Sequence, residues 1–368
     1  MDLRIFALLT VALGGMGQGV VAPQMPELLE PDRLTFFSGI AAALMYFGIF
    51  VSTKSYGKWA DEGKVGPVMG FSLAGYALTL VGLANAHSNV ALFAIRFAEG
   101  LCLSGVYVSA DYLLGTLSPP EKRGQWLSYY GIALSAGLLL GPLSVVLART
   151  GEGVELKPIF GVAVLSVLLA ISALRMKVPK IPEEADGAEN PVLNRTALFS
   201  GAIYGYMEAG IVAVLPVIAV QELHAKPEYC LVVVILSAAL SSVFWGTASD
   251  RVGARKILVS LMMLLTLGPV LSFFVGHAMP DGLSAYPACV LFGILAGGLY
   301  PVAFSWLLSG LRESHYGLAS GSFARAYGMG SLLGPLMAGV FGQRLGFTGL
   351  LAMLSAGGLA GLISTLRH

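Results

Sequence analysis

Apolar runs of roughly 20 residues, parted by short polar connections, recur from one end of the chain to the other. Twelve can be marked, at 3–22, 35–54, 66–86, 90–115, 125–147, 158–174, 196–222, 229–248, 257–277, 286–309, 318–341 and 346–366. An α-helix needs about 20 apolar residues to cross a hydrocarbon core roughly 30 Å thick, so each run predicts a membrane-spanning helix. The expected fold class is an all-α integral membrane protein that crosses the lipid bilayer twelve times. The longest connection, "RMKVPKIPEEADGAENPVLNR" at 175–195, is charged and proline-rich. It reads as a water-exposed linker between two six-helix bundles, 1–174 and 196–368.

Composition agrees with that solvent: 56% of residues are hydrophobic and 12% charged, about half the roughly 25% charged content of soluble domains. The net charge of +1 is uninformative, but its distribution is not. With both termini inside, fifteen Lys and Arg lie on the inner side, including Lys122, Arg123, Arg251, Arg255 and Lys256, and five lie outside. Positive flanks are retained in the cytoplasm, so both termini are expected there, in a multi-pass protein of a bacterial inner membrane. The opening "MDLRIFALLTVALGG" resembles a secretory signal, with a basic residue before an apolar run. An internal repeat makes it part of the fold instead.

That repeat has an offset of 193: Gly17 and Pro23 match Gly210 and Pro216, Gly100 and Tyr107 match Gly293 and Tyr300, and Gly124 matches Gly317. "GLLLGPL" at 137–143 matches "GSLLGPL" at 330–336. Gly57 and Asp61 match Gly246 and Asp250 at an offset of 189. Two homologous halves of six helices are the architecture of a transporter that rocks one bundle against the other.

The motifs resemble the major facilitator superfamily over the full length, and within it the twelve-helix drug:proton antiporter branch. "GTASDRVGARK" at 246–256 is similar to the superfamily's loop signature, and "RFAEG" at 96–100 to the fourth-helix motif of proton-coupled members. "GQGVVAPQMP" at 17–26 resembles the first-helix motif of the drug exporters, and "GLLLGP" at 137–142 the fifth-helix motif associated with antiport. In the first-half loop, "GKWADEGKVG", Glu62 stands where the family has Arg and Lys64 where it has Gly. The resemblance implies two pseudo-symmetric bundles, alternating access, and a substrate cavity lined by the first, fourth, seventh and tenth helices. It also implies that the loop residues Gly57, Asp61, Gly246, Asp250, Arg251 and Arg255 gate the inner mouth; setting topology alone is the other reading of the basic ones. Pro23, Gly137, Gly141, Pro142, Pro216, Gly330, Gly334 and Pro335 read as bends or as close-packing faces.

A charge near the bilayer centre costs at least about 2.5–3.5 kcal/mol and faces the protein interior or a water-filled cavity. Arg96 carries such a charge, and Glu99, Leu103, Tyr107 and Asp111 fall within about 60° of it on a helix. Arg96 and Glu99 are spaced to pair, as a static pair or as proton-handling groups. Asp111 lies nearer the inner end of the helix, where it meets interfacial water or joins that path. Glu208, roughly 18 Å into its helix, has no basic neighbour at helical spacing. That makes it the leading proton-carrier candidate, with a structural pair to Arg325 of the eleventh helix as the alternative. The 193 offset pairs Glu208 with Gly15, Arg325 with Ile132 and Arg96 with Cys289, so the buried charges do not follow the repeat. Gln18, Tyr107, Tyr300 and Arg325 are substrate-cavity candidates.

Other chemistry finds little support. Cys102, Cys230 and Cys289 stand apart in apolar helices and suggest neither a disulfide framework nor a zinc site. The five histidines make no metal-ligand spacing. There is no nucleotide-binding P-loop and no extended basic stretch for nucleic acid, so no cofactor, metal or enzyme activity is expected. Two function classes remain. The first is a monomeric secondary transporter using protons to move a small-molecule substrate, mainly outward, with import or facilitated passage of an organic anion, sugar derivative or lipid as the alternative. The second is a non-transporting receptor or scaffold, for which intramembrane charges have no evident use.

Overall fold

The computed structural model describes residues 2–29, 33–119, 123–149, 155–176, 178, 192–277, 285–309, 311 and 316–367. Every regular element among them is helical: α1 (Leu3–Val21), α2 (Met25–Leu28), α3 (Leu34–Asp61), α4 (Val65–Ala84), α5 (Asn89–Leu117), α6 (Arg123–Ala148), α7 (Leu156–Leu174), α8 (Arg195–Gln221), α9 (Pro227–Val252), α10 (Ala254–His277), α11 (Ala285–Leu308) and α12 (Tyr316–Arg367). A short 3₁₀ turn, Ala22–Gln24, joins α1 to α2. Eleven of the described helical stretches are long and apolar enough to cross a membrane. The twelfth crossing is inside α12, which breaks at Gly346 (φ 56°, ψ −137°). Most of the predicted linker, 177 and 179–191, lies outside the described residues.

The break shows how one crossing becomes two. A φ of +56° with ψ near −137° is a conformation essentially reserved for glycine, costing another residue of order 1–3 kcal/mol. Beyond it the Phe347 amide donates to Oε2 of Glu222 at 2.8 Å. The carboxylate at the end of α8 thereby caps the first turn of the returning helix, satisfying an amide that has no partner in its own helix. Helix ends elsewhere outrun the apolar windows. The run at 35–54 ends, but α3 continues to Asp61, because nothing opposes helix until Gly63, at φ 81°.

The chain forms two compact units, Met1–Leu28 with Leu44–Asn190, and Leu29–Ala43 with Pro191–His368. In the first, α1 lies against α6. Gly137 and Gly141 meet the backbone carbonyls of Ala12 and Met16, and Gly15 meets that of Leu134. In the second, α8 lies against α12 in the same way. Gly330 and Gly334 meet the carbonyls of Ala202 and Tyr206, and Gly205 meets that of Tyr327. Lipid supplies no hydrophobic drive between helices, so such backbone approach is what holds them, and only small residues allow it. The cores behind these seams are ordinary: Phe6, Val11, Met69, Leu73, Val106 and Leu114 in one unit, Met207, Val214, Leu261, Phe292 and Leu299 in the other.

These contacts correct the repeat register of the first helix. Residues 12, 15 and 16 take the packing places of 202, 205 and 206, an offset of 190, whereas α6 and α12 keep 193. The match of Gly17 and Pro23 to Gly210 and Pro216 is therefore three residues out of register. A slip of three residues turns a helix by about 300°, which leaves glycines near the same face and makes the misalignment easy. On the packing register Pro216 answers Pro26, and Glu208 answers Gln18 in place of Gly15.

Pro142, Pro216 and Pro335 sit inside α6, α8 and α12 without ending them, while Pro23 falls in the 3₁₀ turn. The backbone groups such prolines free are tolerated where neighbouring helices pack closely.

Candidate functional site

Each unit carries one polar centre built from membrane-helix residues. In the first, Arg96 and Glu99 of α5 form an ion pair, Nη1 to Oε2 at 2.6 Å, one helical turn apart. Glu99 is fully buried and Arg96 is 6% exposed. Arg96 Nη2 points at the Met45 sulfur of α3 at 3.2 Å. Arg96 Nε and Glu99 Oε1 find no hydrogen-bond partner among the described residues. Two desolvated charges cost several kcal/mol each, and their mutual attraction offsets this only when the remaining polar atoms are satisfied. The pair is thus under-satisfied, the state expected of a centre that exchanges a proton or meets a ligand as readily as of a static bridge.

Two further groups surround it. Gln18 Nε2 of α1 donates to the Tyr107 hydroxyl of α5 at 2.6 Å. The Tyr76 hydroxyl of α4 donates to the Gly14 carbonyl at 3.1 Å. Glycine at 14 and 17 leaves room for these rings, since a Cβ at either place would collide with the tyrosine. Asp111, one turn beyond Tyr107, has an exposed side chain.

In the second unit Glu208 is half-buried in the middle of α8. Its Oε2 accepts from the Tyr327 hydroxyl of α12 at 2.6 Å, and Tyr204, one turn earlier on α8, is a second hydrogen-bond neighbour. Arg325 is not its partner: the guanidinium is exposed and donates to Ser322 Oγ at 3.2 Å. Arg325 and Tyr327 are two positions apart, which on a helix is about 200°, so when one faces α8 the other faces away.

The Glu208 tyrosines belong to an aromatic cluster that sequence reading missed apart from Tyr300. Tyr204 stacks on Tyr327 at 5.6 Å and meets Tyr300 edge-on at 5.3 Å. Phe304 and Phe323 flank Tyr300 at 6.0 and 5.2 Å. Phe323 is buried, while Tyr300 remains 37% exposed. The signal was available, because Tyr204 and Tyr300 face each other once α8 and α11 are neighbours, and Tyr204 stands four residues before Glu208. A carboxylate beside electron-rich ring faces can hold a cation or an acidic proton.

The loop residues are placed but not joined. Gly57 and Gly246 border open space, Asp250 and Arg251 are exposed, and the Asp61 side chain lies outside the described residues. Arg255 Nη2 donates to the Thr365 carbonyl at 3.3 Å, closing the last turn of α12. The substituted residues of the first-half loop pair with each other, Lys64 Nζ to Glu62 Oε2 at 2.7 Å. Glu27, just beyond the first membrane helix, accepts from Arg149 at 3.1 Å. No group of three or more metal-ligating side chains occurs among the described residues.

Comparisons with known proteins agree with this architecture. The sequence profile of the Major Facilitator Superfamily matches residues 6–198 and again 197–367, once for each half. The MFS-type transporter YfkF of Bacillus subtilis (strain 168) is 24% identical over 355 residues, covering 91% of this chain and 87% of its own. The multidrug resistance protein MdtG of Escherichia coli is 24% identical over 370 residues, covering 93% and 88%. Among solved structures, a variant of the nucleoside transporter NupG superposes with a TM-score of 0.74 at 13% identity, covering 100% of this chain and 99% of that one. A profile that covers both halves, on an all-helical membrane fold shared over the whole length, leaves one assignment: this multi-pass membrane protein belongs to the Major Facilitator Superfamily of transporters.

Proposed function

We propose that the chain is a proton-coupled exporter of small organic molecules, working by alternating access with Glu208 as its coupling carboxylate. The observation that carries this reading is the Glu208 environment: a half-buried carboxylate in mid-helix whose partners among the described residues are tyrosine hydroxyls and not a cation. An Arg partner would hold the carboxylate charged. A hydroxyl can donate to the carboxylate or rotate to accept from the acid, so both protonation states are accommodated. Substrate and proton then compete for one group, which is the simplest form of antiport.

The aromatic cluster around Glu208 favours an apolar substrate bearing a positive charge, which would meet ring faces and carboxylate together. The multidrug-resistance name of MdtG supports export of drug-like molecules. Arg96 and Glu99 form the second charged centre, with Asp111 on the same helix, and Gln18 and Tyr107 offer hydrogen bonds to polar substrate groups. The two halves, 1–174 and 196–368, act as the moving bodies, and the Gly137, Gly141, Gly330 and Gly334 seams keep each half rigid. Gly57, Asp61, Gly246, Asp250, Arg251 and Arg255 form the inner gate. The protein works as a monomer in a bacterial inner membrane, both termini in the cytoplasm. A second reading, uptake of an organic anion, is favoured by the exposed guanidinium of Arg325.

Proteoliposomes carrying a pH gradient test the proposal. Lipophilic cations and organic anions are added in turn, and proton movement is followed for wild type and Glu208→Gln. Cation-triggered proton flux that disappears in the variant is the expected result. Flux preserved in a well-folded variant moves the coupling role to Arg96 and Glu99. Flux triggered only by anions favours the second reading.

A further inference from the structure

Two of the three cysteines, remote in sequence, are brought together by helix register. Along α9 and α11, Gly293 meets the Val234 carbonyl and Gly297 meets the Ala238 carbonyl, two backbone contacts each 59 positions apart. Further along α9, Ser241 Oγ and Trp245 Nε1 reach back to the Ile294 carbonyl at 3.3 and 3.1 Å and keep the two helices in contact. One turn toward the start of both helices, the 59-residue separation joins Cys230 to Cys289. Both are fully buried, and both are free thiols in this structure. Disulfides require Cα atoms about 4.4–6.8 Å apart, a distance reached only where helix backbones approach as closely as small residues allow.

We infer that Cys230 and Cys289 form a disulfide that staples α9 to α11 at their leading ends. With the cytoplasmic termini proposed above, those ends lie on the outer side of the membrane, where disulfides form and persist. An oxidising dithiol carrier of that compartment supplies the chemistry. The thiolate of one cysteine attacks the carrier's disulfide, forming a mixed disulfide and releasing one carrier thiolate. The thiolate of the other then attacks the protein sulfur of that mixed disulfide and releases the second. Two electrons and two protons leave the chain, and the carrier is reduced to its dithiol. Cys102, on α5 in the other unit, takes no part.

Membrane vesicles containing the full chain, reduced with dithiothreitol or oxidised with iodine, test this. Iodine dissolves in apolar interiors and takes one hydrogen from each thiol, giving the disulfide and two molecules of hydrogen iodide. After denaturation without reductant, free thiols are counted with a maleimide-linked polyethylene glycol tag, and peptides are mapped by mass spectrometry. The expected result is three tags when reduced and one when oxidised, with a peptide pair joined through residues 230 and 289. Cys230→Ser and Cys289→Ser should each keep two tags in both states. Three tags after iodine, or loss of tags without the joined peptide, overturns the inference. The readout is independent of transport, so failure of the proposed proton coupling leaves it standing.

Discussion

Gln18 and Glu208 occupy the same place in their two units, 190 residues apart on the register that the glycine contacts define. Each reaches a tyrosine hydroxyl on a neighbouring helix at 2.6 Å, Gln18 as the donor to Tyr107 and Glu208 as the acceptor from Tyr327. The tyrosines come from helices that the repeat does not pair, since Tyr107 matches Tyr300 and Tyr327 matches Leu134, so the two places share a helix position but not a partner.

Substitutions at the two places should separate their contributions. Gln18→Leu removes one hydrogen bond of about 0.5–1.5 kcal/mol, equivalent to roughly a 2- to 13-fold loss in substrate affinity if the group meets the substrate. Proton movement per substrate should stay unchanged. Glu208→Gln should bind the cation more weakly, through the aromatic cluster alone, and lose proton movement. Parallel binding and flux titrations on both variants check the split.

Arg96→Ala leaves Glu99 buried without its counter-charge, a change that typically costs about 3–5 kcal/mol. The double substitution Arg96→Ala with Glu99→Ala should recover part of that loss, because neither charge then remains uncompensated. Thermal unfolding of the purified protein, read for both singles and the double, gives the coupling energy. A double variant as unstable as the sum of the singles would contradict a paired role.

Gly330→Val and Gly137→Val should each destabilise by at least about 1–3 kcal/mol, since a Cβ at either position meets a neighbouring backbone carbonyl that cannot move aside. Gly246→Ala, which borders open space, is the control and should be near neutral. The lost stability is measured as the yield and melting temperature of detergent-solubilised protein.

Gly346→Ala should cost at least about 1–3 kcal/mol, because alanine is strained at this backbone conformation and its methyl group also meets the Glu222 carboxylate. Glu222→Gln should be milder, as the amide oxygen can still accept from Phe347. Comparing the melting temperatures of the two variants distinguishes backbone strain from loss of the cap.

The twelve crossings were legible because a membrane demands long unbroken apolar runs, and the paired glycines at 137 and 330 because close packing demands small residues. The register of the first helix was not. Glycine and proline recur there nearly a turn apart, and only the carbonyls they touch identify the true partner. Helix boundaries were misplaced where hydropathy and helicity diverge, as at Asp61. The partner of Glu208 was open to sequence only as a question of depth, where Arg325 and Tyr327 are equally near. Which of them faces α8 depends on helix rotation, fixed by the contact of Gly205 with the Tyr327 carbonyl. The meeting of Cys230 and Cys289 needed the same rotational information for α9 and α11.

In the mechanism proposed above, Glu208 carries the coupling proton. The most direct test is proton release on binding of a lipophilic cation such as tetraphenylphosphonium, recorded with a pH indicator in weakly buffered detergent solution. The wild-type protein should release protons as the cation binds, and Glu208→Gln should bind the cation and release none. Equal release from both proteins would contradict the account.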